Sequence, residues 1–101
     1  MRRSGDFFST SVSDAVARLG KRIRRARKAQ RLTLADLERM CRVHRTTIGR
    51  LERGDTGASL GALFTVLEAL NELADVELLL TQPDTPKHRR NVATPILDQE
   101  F

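Results

Sequence analysis

The sequence predicts an all-α fold of four to five short helices in one small domain. Apolar residues recur at steps of three and four through most of positions 12–70, and Ser, Thr and Gly stand where such runs begin and end. At 101 residues, 40% apolar and without Trp or Tyr, the chain supports a single aliphatic core. Composition sets the boundaries: an N-terminal arm at 1–10, a folded unit at 11–82, and a polar tail at 83–101 that holds Pro83, Pro86 and Pro95. Arm and tail are expected to be flexible, and no internal repeat is visible.

The first helix is expected from Ser11 to Gln30. Ser11 with Asp14 forms a capping pattern, and Val12, Val16, Leu19, Ile23 and Ala26 make one apolar stripe. Thr33, supported by Asp36, is the N-cap of a second helix from Leu34 to about Cys41, whose buried side is Leu34, Leu37 and Cys41. Arg42-Val43 is a turn. A third helix begins at His44 or Arg45 and ends near Arg53, with Gly54 as its C-cap. Ile48 and Leu51 point inward, which leaves Arg45, Thr46, Gly49 and Arg50 on the opposite side, with Thr47 and Arg53 at its margins.

Ser59 caps a fourth helix from Leu60 to about Leu70. Its apolar face is wider than one contact in a small domain requires, so part of it is expected to meet another subunit. From Ala74 to Thr81 two patterns compete. Alternation fits a strand, while Leu70, Leu73, Glu77 and Leu80 fit a helix; the strand is preferred.

The charge balance bounds the function. A net charge of +5 and a pI near 10.6 favour a polyanionic partner. From Arg18 to Arg53 there are 13 Lys/Arg against 3 acids, whereas Gly54 to Pro86 holds 6 acids and no Lys or Arg. The first part is expected to face nucleic acid and the second to face away. No apolar run approaches the ~18 residues that span a bilayer, and none near the start suits a signal peptide. Cys41 stands alone, so no disulfide framework or multi-cysteine metal site is expected. His44 and His88 lack a partner cluster, and no Gly-rich phosphate loop is present. The expectation is therefore no enzyme, no catalytic residue, no metal and no cofactor, in a cytoplasmic protein.

The third helix carries the candidate site. Arg45 and Arg50 stand little more than one turn apart and suit the O6/N7 edge of guanine, while Thr46 suits a thymine methyl or a base edge. Gly49 would let the helix approach DNA closely. Lys21, Arg22, Arg27, Thr33, His44, Thr47 and Arg53 are the phosphate candidates, with Lys28 and Arg31 as further options. The arm is read as plain disorder, with Arg2 and Arg3 in the minor groove as the less favoured alternative.

Residues Thr33 to Gly54 resemble the lambda-repressor-like helix-turn-helix family, also called the Xre family. The features are Thr33, Leu37, Val43, the Arg45-Thr-Thr-Ile48 run and the Leu51-Glu-Arg-Gly54 ending. Leu19 to Arg27 looks like that family's first helix and Ser59 to Leu70 like its fourth. The Ser59 to Leu70 segment with its short apolar continuation looks most like HipB-type antitoxins. That resemblance implies a bacterial, nucleoid-associated homodimer that binds double-stranded DNA at an inverted repeat and represses its own operon. It also implies a HipA-type kinase toxin as second partner and a strand at Val76 to Leu80 pairing across the dimer. Phe64, Leu67, Leu70, Val76, Leu78 and Leu80 are the expected dimer or partner contacts. The alternatives are a stand-alone Xre-type or phage-type regulator, a toxin-binding protein with secondary DNA contact, or a nonspecific nucleoid binder.

Three positions depart from the family pattern. Glu38 stands where a small residue is usual, and can pair with Arg42 or Arg45 so as to orient or weaken the reading head. Arg42 stands where the turn usually has Gly, at a cost of order 1 kcal/mol if the turn keeps its shape. Leu34 replaces the usual Gln at the start of helix two.

Overall fold

Four α-helices and a 3-10 helix succeed one another along residues 7–87, the part of the chain that the computed structural model describes. They are α1 (Thr10–Ala29), α2 (Leu34–Cys41), α3 (Arg45–Glu52), α4 (Leu60–Ala69) and the 3-10 helix at Leu73–Leu78. The caps explain the bounds. Ser9, two residues earlier than expected, opens α1 by accepting the Val12 N–H; Ser11 and Asp14 lie inside the helix and do not cap it. Thr33 and Asp36 form a reciprocal capping box on α2, and the Ser59 hydroxyl accepts the Ala62 N–H at the start of α4.

The core lies where the four helices converge. Ile23 from α1, Leu37 from α2, Ile48 and Leu51 from α3, and Val66 and Leu70 at α4 are buried, with Leu19, Leu34, Cys41 and Val43 packed around them. Leu34 therefore spends the first position of α2 on packing. Val12 and Met40 fall outside the core, at 44% and 52% exposure.

The segment expected to be a strand is instead the 3-10 helix, and no strand forms among the described residues. Asn71 turns the chain at φ 64°, and the Glu72 N–H reaches back to the Leu67 carbonyl at 2.8 Å. In a 3-10 helix residues three apart eclipse, so Leu73 and Val76 share the half-buried side. Leu78, Leu79 and Leu80 are left 68–75% exposed. Leu70, expected at an interface, is 1% exposed and belongs to the core.

Two backbone features position α3. At Gly20, in the middle of α1, a Cβ would lie 2.5 Å from the Leu51 carbonyl oxygen and 2.7 Å from that of Glu52. Only a residue without a side chain lets the end of α3 come this close. At Arg42 the chain adopts φ 62°, ψ 20°, so the turn between α2 and α3 keeps its left-handed shape despite the absence of Gly.

Two stability predictions follow from this backbone. Gly20→Ala forces α1 from α3, and the expected net loss is about 2 kcal/mol, a fall in melting temperature of roughly 10 °C. Arg42→Gly removes the left-handed cost and should raise stability by about 1 kcal/mol. Chemical denaturation of the two variants beside the parent measures both.

Candidate nucleic-acid interface

The front of α3 is built by its cap. His44 Nδ1 accepts the Thr46 N–H at 3.0 Å, which satisfies one of the free donors that open a helix. At the start of α2, the Asp36 carboxylate accepts the Thr33 N–H at 2.9 Å. That backbone bond is the main reason the Asp36 carboxyl lies below its ordinary value, and Arg39 pairs with it as well.

Arg45 projects from the first residue of α3 with a side chain 57% exposed. Its Nε donates to Glu38 Oε1 at 2.8 Å, so Glu38 pairs with Arg45 across the turn. The same hydrogen bond holds the Glu38 carboxyl below the usual carboxylate range, and Glu38 stays anionic at neutral pH. Arg50 is held in the same manner: its Nε donates to Asp55 Oδ2 at 2.8 Å, while Asp55 Oδ1 accepts the Gly57 N–H at 2.7 Å. Thr46 is exposed beside Arg45, and Thr47 is half-buried. Gly49 is buried, because the Arg53 guanidinium lies over it; a Cβ at Gly49 would sit 3.1 Å from Arg53 Nη1. The space expected for close approach of DNA is thus taken by an arginine.

Basic clefts flank Arg45 on both sides. Arg24, Lys28 and Arg31 line one of them with Thr33 and Arg45, where the end of α1 meets the start of α2. Arg39, Arg42 and His44 line the other with Glu38 and Arg45. Lys21 is exposed on α1, and steps of three and four set it on one helical face with Arg24 and Lys28. Of the expected phosphate residues, Lys21, Arg22, Thr33, His44 and Arg53 are exposed.

Two of the expected phosphate residues sit elsewhere. Arg22 lines an apolar groove with Leu63, Phe64 and Leu67, near Glu72 and Asp75. Arg27 is buried: its Nε and Nη2 donate to the two carboxylate oxygens of Glu52 at 2.7 and 2.9 Å, and its Nη1 to the Leu32 carbonyl at 2.9 Å. Hydrogen bonding to Glu52 raises the Arg27 pKa above its ordinary value, so Arg27 stays charged. It joins α1, the α1–α2 connection and α3. Sequence reasoning did not find Arg24, Asp55 or the Arg27–Glu52 pair. The shared helical face of Lys21, Arg24 and Lys28 could have found the first; pairings across 25 residues leave no periodic trace.

Arg2 and Arg3 lie outside the described residues, as do His88 and the rest of the tail beyond it. Among the described residues no group of His, Cys, Asp or Glu could hold a metal ion, and no helix is long and apolar enough to cross a membrane.

A helix-turn-helix family model matches residues 23–76, more than half of the chain, and spans α2, the turn, α3 and α4. The chain belongs to the helix-turn-helix family, in its Xre-like branch of DNA-binding transcription regulators. No curated protein and no solved structure matches it.

Removing one partner of the Arg27–Glu52 pair strands a charge in a nearly closed site. Glu52→Ala should cost about 3 kcal/mol of folding stability. A thermal melt that leaves this variant within 0.5 kcal/mol of the parent (the range of ordinary surface changes) would rule out the pair as the clamp between α1 and α3.

Proposed function

We propose that this protein is a homodimeric repressor that reads an inverted repeat, acts on its own operon and serves as the antitoxin of a HipA-type kinase toxin. One observation carries the DNA-reading part. Arg45, Thr46 and Arg50 stand together on the outer side of an exposed helix flanked by basic clefts, while the acids of residues 54–86 lie beyond it in the chain. In this reading α3 enters the major groove. Arg45, Arg50 and Thr46 touch base edges, and Lys21, Arg24, Lys28, Thr33 and His44 hold phosphates.

The dimer part is supported by the groove between α1, α4 and the 3-10 helix, about 450 Å³, lined by Phe64, Leu67, Val76 and Leu79. With the exposed Leu78 and Leu80 it forms an apolar surface larger than scattered side chains explain. A second copy seated there would give the dimer two α3 helices, for half-sites about one helical turn apart or a multiple of it. The toxin part rests on the likeness of Ser59–Leu70 to HipB-type sequences and on the acidic, leucine-rich surface of residues 60–80.

The test is selection of bound fragments from a random DNA pool at physiological salt, with an Arg45→Ala/Arg50→Ala variant alongside. The parent should enrich an inverted repeat and the variant should not, with a loss of about 1–3 kcal/mol for each arginine. A HipA-type kinase supplied with the parent should form a stable complex on a sizing column. Enrichment without such a complex would make the protein a stand-alone regulator. Binding with no preferred sequence, fading steeply as salt rises, would leave a nonspecific binder.

A further inference from the structure

The two arginines of the reading face are restrained in one specific way. A guanidinium has five N–H donors along two usable edges. The side edge joins Nε to one Nη, and the end edge joins the two Nη groups. Glu38 takes Arg45 by Nε at 2.8 Å and Asp55 takes Arg50 by Nε at 2.8 Å. The hydrogen bond that joins each of these arginines to its carboxylate runs from Nε. Each carboxylate therefore occupies the side edge and leaves the end edge, whose two parallel N–H groups match O6 and N7 of guanine.

We propose that Glu38 and Asp55 are specificity-determining positioning residues, which anchor Arg45 and Arg50 by Nε so that each presents its two Nη groups to a guanine. The proposal rests on α3 being the base-reading helix. A free arginine must lose its rotamer freedom on binding, and one already tethered at Nε loses less. The carboxylates also work against the wrong site. An anion on a surface that otherwise attracts phosphate weakens contacts with any duplex, and only where the arginines meet guanine do base contacts make up the loss. Asp55 is tied further into the fold through the Gly57 N–H, so Glu38, half-buried on α2, is the residue to test.

The experiment measures binding at fixed salt of the parent, Glu38→Ala, Glu38→Gln, Arg45→Ala and the Glu38→Ala/Arg45→Ala double variant. The probes are the selected operator, copies with each half-site guanine changed to adenine, and unrelated duplex. Glu38→Ala should cut the preference for guanine at one position per half-site by on the order of tenfold, and should tighten binding to unrelated duplex. In the Arg45→Ala background the same change should leave base preference untouched, which separates positioning from a general structural role. Glu38→Gln, which keeps an acceptor for Nε without the charge, should recover part of the guanine preference.

Two results overturn the proposal, and they differ. If Arg45→Ala abolishes preference at one guanine but Glu38→Ala leaves it intact, α3 reads DNA and Glu38 merely competes for the arginine. If the parent shows no base preference at any position, the reading of α3 itself falls and the positioning role falls with it.

Discussion

The structure depends on the junction between α1 and the end of α3. Gly20 lets the last carbonyls of α3 approach the backbone of α1, and two turns further along Arg27 grips Glu52 with two parallel hydrogen bonds and holds Leu32 with a third. Helix α3 has eight residues, too few to persist alone in water, where about 12–15 are needed. Its existence and its angle come from what it packs against. Ile48 and Leu51 bury its inner side, and the junction with α1 fixes how far its outer side projects.

From that junction follows the division of labour among the arginines. Arg27 is removed from solvent and carries structure; Arg45 and Arg50 remain on the surface, each restrained by one carboxylate. Exposed pairs of this kind add little to stability, typically under ~1 kcal/mol. Their consequence is conformational: a long flexible cation acquires a preferred direction before any ligand arrives. The turn between α2 and α3 serves the same end, since Arg42 in the left-handed region keeps Glu38 and Arg45 within hydrogen-bonding distance.

The far half of the chain obeys a different balance. Helix α4 contributes Val66, and its C-cap Leu70, to the core, and Gln30 of the α1–α2 connection donates to the Leu70 carbonyl at 2.9 Å. Beyond it the 3-10 helix offers two half-buried side chains, Leu73 and Val76, and then three exposed leucines. Apolar surface without Lys or Arg attracts phosphate poorly but attracts other apolar surface well. Helix α1 borders both faces, with Arg24 and Lys28 in the basic cleft and Leu19 and Ala26 in the apolar groove.

The sequence by itself determined the helices, their order and the exposed side of α3. Each rests on neighbours within four residues: the Thr33–Asp36 capping box, the Ile48–Leu51 spacing, Ser59 before an apolar run. Those interactions are local and leave a periodic record in the chain. The helix-turn-helix class was legible for the same reason, since its motif is one continuous stretch. What depended on distant partners was decided only by the tertiary structure. Arg24 and Arg27 both border the cleft between α1 and α2, yet Arg27 is buried against Glu52 and Arg24 is exposed. Leu70 and Leu80 both continue an apolar pattern, but one closes the core and the other stands exposed. The residues from 73 to 78 had two admissible periodicities, and contact with α4 settled them as a 3-10 helix. Periodicity states which side of a helix is apolar; packing alone states which element that side meets and which charges are left for a ligand.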